Sequence, residues 1–148
     1  MLLPVCPLLV ALALTGPGED LHTSTGARFS LPEFVARGPV VLVFWNSWLP
    51  QAAAFAKLVP EIEGAAARNG WPAAVVVFQE GSAAPAGGGA PAEDKLVRVI
   101  DTHGELVRYF QVTKAPAVLL VERDGSVRAR CGPAAADVRA LLAGLAKR

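Results

Sequence analysis

Apolar residues in this chain come in short unbroken blocks: Val40–Trp45 (VVLVFW), Ala73–Phe78 (AAVVVF) and Ala117–Val121 (AVLLV). Blocks of this length, rich in β-branched side chains, predict strands buried on both faces. Asn46, Ser47, Trp48, Leu49 and Pro50 interrupt the first block, and the Ala-rich run from Gln51 toward Arg68 favours helix. Pro60 lies inside that run and predicts a kink or a split, because it removes a donor and clashes with the preceding turn. Asn69-Gly70 ends the helix in the usual way. The spacing of the first two blocks then requires a parallel crossover.

The flanking segments carry weaker patterns. Leu21–Leu31 predicts a loop or short hairpin about Thr25-Gly26, with Arg28–Leu31 alternating as a half-buried strand does. Pro32–Ala36 has room for one helical turn before Gly38-Pro39. Gly81–Pro91 (GSAAPAGGGAP) reads as a low-complexity loop, and Ala92–Leu96 as a helical turn. Leu96–Ile100 predicts a strand, Asp101–Gly104 a turn, and Glu105–Phe110 a short helix with Leu106, Tyr109 and Phe110 at helical spacing. Arg123-Asp124-Gly125-Ser126 is a hairpin signal, with Val127–Cys131 as the return strand and Val127, Ala129 and Cys131 on one core-facing side. After Gly132-Pro133, Ala135–Lys147 predicts a helix with Val138, Leu141, Leu142 and Leu145 on its apolar stripe.

Composition narrows the function classes. The 148 residues are 53% hydrophobic and 18% charged, which suits one globular domain. Fourteen basic and thirteen acidic residues give a net charge of +1 with no long run of either sign. Nothing in that balance points to nucleic acid or to an anionic membrane surface. The only cysteines are Cys6 and Cys131 and the only histidines His22 and His103, too few and too scattered for a zinc site. His22 is expected in a mobile segment, and His103 in a solvated turn. Ser47 has no neighbouring base and no Gly-x-Ser-x-Gly elbow, and Gly87-Gly88-Gly89 lacks the Lys-Ser/Thr of a phosphate loop.

The first 18 residues differ from the rest. Leu2–Leu14 is an uncharged apolar run of 13 residues, short of the roughly 20 that span a bilayer. It suits the apolar region of an export signal, and Ala11-Leu12-Ala13 supplies a small-x-small cleavage pattern. No Lys or Arg precedes it, and Pro4 and Pro7 interrupt it. Residues 1–18 are therefore expected to be a signal or N-terminal anchor and 19–148 the folded domain, periplasmic or otherwise exported. An unstructured start would instead leave the chain cytoplasmic.

Four features together resemble the thioredoxin superfamily, in particular its exported TlpA/ResA-type thiol–disulfide oxidoreductases. They are VVLVFWNSW at Val40–Trp48, the strand Val75–Phe78, the segment Val112-Thr113-Lys114-Ala115-Pro116-Ala117, and Leu119–Val127 with its Asp-Gly hairpin. The match covers about Arg28 to the C-terminus. It implies an α/β, thioredoxin-like three-layer fold, with a central mixed β-sheet and helices on both faces, and a cis bond before Pro116. The family's chemistry needs two cysteines two residues apart at a helix N-terminus, where the dipole favours a thiolate and the second thiol resolves the mixed disulfide. By the resemblance those positions are Leu49 and Ala52, within the degenerate stretch Trp48, Leu49, Pro50, Gln51, Ala52. The acidic or polar residue many relatives place before the Phe-Trp pair is here Val43. The Glu after the second cysteine is Phe55, and the helix-kinking proline expected near Lys57 is displaced to Pro60.

The resemblance thus implies no catalytic residue and no cofactor. It leaves a peptide-binding edge at Trp48, Ala115 and Pro116, since in active relatives the backbone beside the cis-proline pairs with an extended substrate. We expect Trp45 in the core. Trp48 is either a partly exposed remnant or, with Trp45, Leu49 and Pro116, part of an apolar surface for an extended peptide or envelope protein. Membrane contact would come only through an uncleaved N-terminal segment. The expected function is a binding or structural module of the cell envelope without dithiol activity. The alternative is an oxidoreductase working through Cys131 or a partner's thiol. Arg128 and Arg130 would favour a Cys131 thiolate, but its place on a core face favours a buried, inert thiol. A decayed copy without function is a third possibility.

Overall fold

The computed structural model describes residues 21–78 and 97–146. The N-terminal apolar segment with Cys6, the Gly/Ala/Pro loop, the turn at Ala92–Leu96 and Lys147 lie outside the described residues. The chain runs β1 (Leu21–Thr23), β2 (Arg28–Phe29), α1 (Leu31–Ala36), β3 (Val40–Trp45), α2 (Ala52–Ala56), α3 (Val59–Arg68) and β4 (Ala73–Phe78). It continues with β5 (Val97–Asp101), α4 (Glu105–Tyr109), β6 (Ala117–Val121), β7 (Val127–Cys131), α5 (Ala135–Ala143) and a closing 3-10 turn, Gly144–Ala146.

The strands form one seven-stranded mixed sheet in the order β2-β1-β5-β4-β3-β6-β7. The predicted parallel crossover joins β3 to β4, and β5 extends the parallel set. β6 returns antiparallel on the other side of β3. All six residues of β3 are buried, as the unbroken apolar block requires. Its side chains alternate between two cores. Val41, Val43 and Trp45 face Phe55, Ile62 and Val138, from α2, α3 and α5. Val40, Leu42 and Phe44 face Leu31, Val35, Leu106 and Phe110, from α1, α4 and the residue that closes α4. Helices therefore cover both sheet faces, the three-layer arrangement expected.

Several sequence-based expectations change in detail. Of the kink or split expected at Pro60, the structure shows the split. The chain splits at Lys57-Leu58, and Pro60 sits in the first turn of α3, where its missing N–H costs nothing. His22 is not in a mobile segment: it lies on β1, paired with Arg28 on one side and Ile100 on the other. Leu106 and Phe110 are buried as the spacing of α4 predicts, but Tyr109 is 49% exposed and its ring packs edge-on against Phe110. Val127 does not share a face with Ala129 and Cys131. A register shift pairs Leu120 with Ala129 but Val121 with Val127, so Arg128 is an extra residue and Val127 turns to the opposite core.

Helix α4 is held at both ends. At its start, buried Asp101 accepts hydrogen bonds from the backbone N–H of Glu105 (2.8 Å) and of Leu106 (2.9 Å). At its end, Gln111 adopts φ 52°, and the N–H groups of Gln111 and Val112 return to the carbonyls of Arg108 and Val107. This is the paired bond pattern of a Schellman cap, with glutamine in the place glycine usually takes. The cap turns the chain out of α4 and into Val112–Pro116.

Candidate functional site

The carboxyl end of β3 is where an α/β sheet of this kind presents a site. Here the chain leaves β3 at Trp45 and makes two short turns before α2. The N–H of Leu49 donates to the Asn46 carbonyl (3.3 Å), and that of Ala52 to the Leu49 carbonyl (3.0 Å). The buried indole of Trp45 donates from Nε1 to the Ala52 carbonyl (3.1 Å), tying the first residue of α2 back to the strand it came from. Trp45 is therefore core, as expected, with its one polar atom satisfied.

Asn46 plays a part that the sequence pattern did not reveal. It is 2% exposed, and its side-chain amide donates to the Phe78 carbonyl, closing the end of β3 onto the end of β4. The ring of Trp48, itself 60% exposed, packs edge-on over Phe78 with centroids 6.1 Å apart. The only sequence signal for this cluster was an Asn placed directly after a buried strand. Phe78 was legible as a strand residue, not as the support for Trp48.

The Val112–Pro116 segment reaches the same end of the sheet. Ala117 pairs with Phe44, so Pro116 stands one step further along, level with Trp45. The Ala115–Pro116 peptide bond is cis. Ala115 is half-buried, but Pro116 is buried. Of the residues expected on an apolar surface, Trp45 and Pro116 are therefore buried, and Trp48 is exposed. Pro50 and Gln51 are exposed, Leu49 is half-buried against the first core, and Ala52 is buried in that core.

No residue from Val40 to Ala56 carries a charge. Val43 and Phe55 are fully enclosed in the core that also takes Leu49 and Ala52. The turn thus stands on hydrocarbon, and no side chain within Val40–Ala56 is a carboxylate, a histidine or a thiol. Burying a side chain the size of Phe55 stabilises the fold by roughly 1.5–3 kcal/mol. Among the described residues no group of three or more His, Cys, Asp or Glu is placed to hold a metal. Nor is any helix among them long and apolar enough to cross a membrane.

Cys131 is a free thiol, half-buried on β7 against the first core rather than fully enclosed. Burial pushes its pKa above the ordinary thiol value, the Asp137 carboxylate adds to this, and a backbone bond with Val118 opposes it. The two arginines that could have lowered it are engaged elsewhere. Arg128 pairs with Glu122 (3.4 Å), and Arg130 reaches the Gln111 carbonyl. Burial and the Asp137 carboxylate thus disfavour the Cys131 thiolate, the form that acts as a nucleophile. In native protein Cys131, followed on its own peptide, is expected to react with iodoacetamide at pH 7.5 at least about tenfold more slowly than in protein unfolded in guanidinium. Equal rates, followed by mass spectrometry, would show an activated thiol.

No family model matches the chain, and no curated protein matches it by sequence. Solved structures do resemble it. A candidate thiol:disulfide interchange protein DsbE from Chlorobium tepidum superposes with a TM-score of 0.66 at 24% identity, over 88% of this chain and 96% of its own. The N-terminal domain of PilB from Neisseria gonorrhoeae gives 0.63 at 18% identity, over 88% and 89%. A secreted disulfide oxidoreductase of Mycobacterium tuberculosis gives 0.60 at 22% identity, over 86% and 93%. At these identities the likeness establishes the fold, which is thioredoxin-like.

Proposed function

We propose that this thioredoxin-like chain is an exported binding module that keeps the frame of a thiol–disulfide oxidoreductase without its dithiol chemistry. The carrying observation is the Asn46–Ala52 turn, where strand, turn and helix follow in order but every side chain is hydrocarbon, amide, hydroxyl or indole. By the resemblance, Leu49 and Ala52 stand where the two sulfurs would be. Neither can form a thiolate, and Cys131 on β7 cannot substitute for a pair. Cys131 could form a mixed disulfide, but no second thiol among the described residues is there to resolve it.

Exposed Trp48 on its Phe78 support, and half-buried Ala115 before the cis peptide bond at the same end of the sheet, support a role in holding an extended peptide. The peptide would pair with the backbone at Ala115 and lay one apolar side chain against the indole. Export is supported by the apolar N-terminal segment and by the secreted mycobacterial likeness.

Fully oxidised insulin B chain, an unfolded peptide without free thiols, is the probe. An NMR titration is expected to shift the amides of Trp48, Ala115 and Ala117 saturably. Trp48→Ala is expected to weaken binding by about tenfold, the scale of an aromatic anchor. Absence of saturable shifts at these positions would contradict the binding role.

A further inference from the structure

A separate cleft of about 240 Å³ opens between the segment that follows α4 and the edge strand β7. Its floor is hydrocarbon: Ala117 and Leu119 of β6 are buried, and Val112 is half-buried. Thr113 contributes a hydroxyl at its margin. Both charged residues that line it, Lys114 and Arg130, are cations with exposed side chains, and no Asp or Glu lines it. Neither cation has a carboxylate partner among the described residues.

Arg130 is placed for this by β7. It pairs in register with Leu119, and its Nη1 donates to the Gln111 carbonyl at 3.3 Å. That bond holds the guanidinium across the mouth of the cleft while leaving other N–H groups of its planar fork to bind. Gln111 and Val112 are themselves fixed by the cap of α4, so the partner of Arg130 is positioned before any ligand arrives.

An apolar floor beneath two uncompensated cations is complementary to an anion with a hydrocarbon body. The space is smaller than the roughly 300–1,000 Å³ that drug-sized ligands occupy, which restricts the ligand to a small molecule. We propose that the cleft binds a small monocarboxylic acid with an aromatic or branched apolar body. Its carboxylate lies between Arg130 and Lys114, and its hydrocarbon lies on Val112, Ala117 and Leu119. A carboxylate matches the guanidinium fork in a way a point anion does not. The site uses neither Trp48 nor the Asn46–Ala52 turn, and it stands whether or not those residues bind peptide.

The test is an NMR titration of the full chain with 3-phenylpropanoate. Parallel titrations use 3-phenylpropan-1-ol, acetate and inorganic phosphate. Saturable shifts are expected at the amides of residues 112–114 and 130–132. The neutral alcohol, acetate and phosphate are each expected to bind at least about fivefold more weakly, because the alcohol lacks the charge and the two small anions lack the apolar body. Arg130→Gln and Lys114→Gln, both at exposed side chains, are each expected to weaken 3-phenylpropanoate by a similar factor. No saturable shift at these amides overturns the proposal. So does equal binding of the alcohol or of phosphate, or binding that neither substitution changes.

Discussion

Replacing Leu49 and Ala52 together by cysteine is expected to give the chain a disulfide that dithiothreitol reduces, and to raise its rate of insulin reduction at least about tenfold over the unmodified protein. The geometry is already in place. The bond from the Ala52 N–H to the Leu49 carbonyl (3.0 Å) makes these residues the ends of a four-residue turn. Such a turn holds its end Cα atoms within about 7 Å, compatible with the roughly 4.4–6.8 Å of a disulfide. Both side chains pack toward the same core, so the two Cβ atoms share a side. The gain is expected to stay partial, because the hydrocarbon side chains of Val43 and Phe55 supply no proton transfer. Quenching with a maleimide after mild oxidation reads the outcome directly: a pair that stays reduced would show that the turn does not bring these positions together.

The second large effect falls on stability. Asp101→Ala is expected to cost about 3 kcal/mol, because it removes two charge-assisted bonds and leaves two backbone N–H groups at the start of α4 without their acceptor. Gly104, which precedes the helix, has no side chain with which to replace the lost cap. For a domain of this size that is roughly a 10 °C fall in melting temperature. Asp101→Asn keeps one acceptor oxygen and is expected to lose about half as much. Because α4 leads through its Schellman cap into Val112–Pro116, the loss should appear first as faster amide exchange in that segment. A change below about 0.5 kcal/mol in Asp101→Ala would show that the buried carboxylate does not hold the helix.

Asp101 also shows where sequence reading stops. Its place after a strand and before a short helix marked a turn. That the carboxylate would be buried and spent on Glu105 and Leu106 depends on β5 and α4 packing together, which one-dimensional pattern does not contain. The unbroken apolar blocks were legible, because a strand covered on both faces needs no polar positions. So was the stripe of the last helical segment: Val138 and Leu142 on α5 and Leu145 on the closing 3-10 turn are buried, and Leu141 packs at the margin. Pro60 was legible as an interruption but not as a helix start, since proline reads alike in both roles until the carbonyl partners are known. The bulge at Arg128, which sends Val127 to the other core, leaves no mark in a strict alternation. At the site, the absence of cysteine between Val40 and Ala56 was evident from the sequence alone. The burial of Pro116, the Asn46 link to Phe78 and the support beneath Trp48 required three strands to be placed side by side.

The most direct measurement is insulin reduction by the unmodified chain with dithiothreitol as electron donor, followed by turbidity. Precipitation is expected to begin no earlier than in buffer alone, with Cys131→Ser indistinguishable from the unmodified chain. Catalysed precipitation with many turnovers per protein would contradict a frame without dithiol chemistry, most pointedly if Cys131→Ser abolished it.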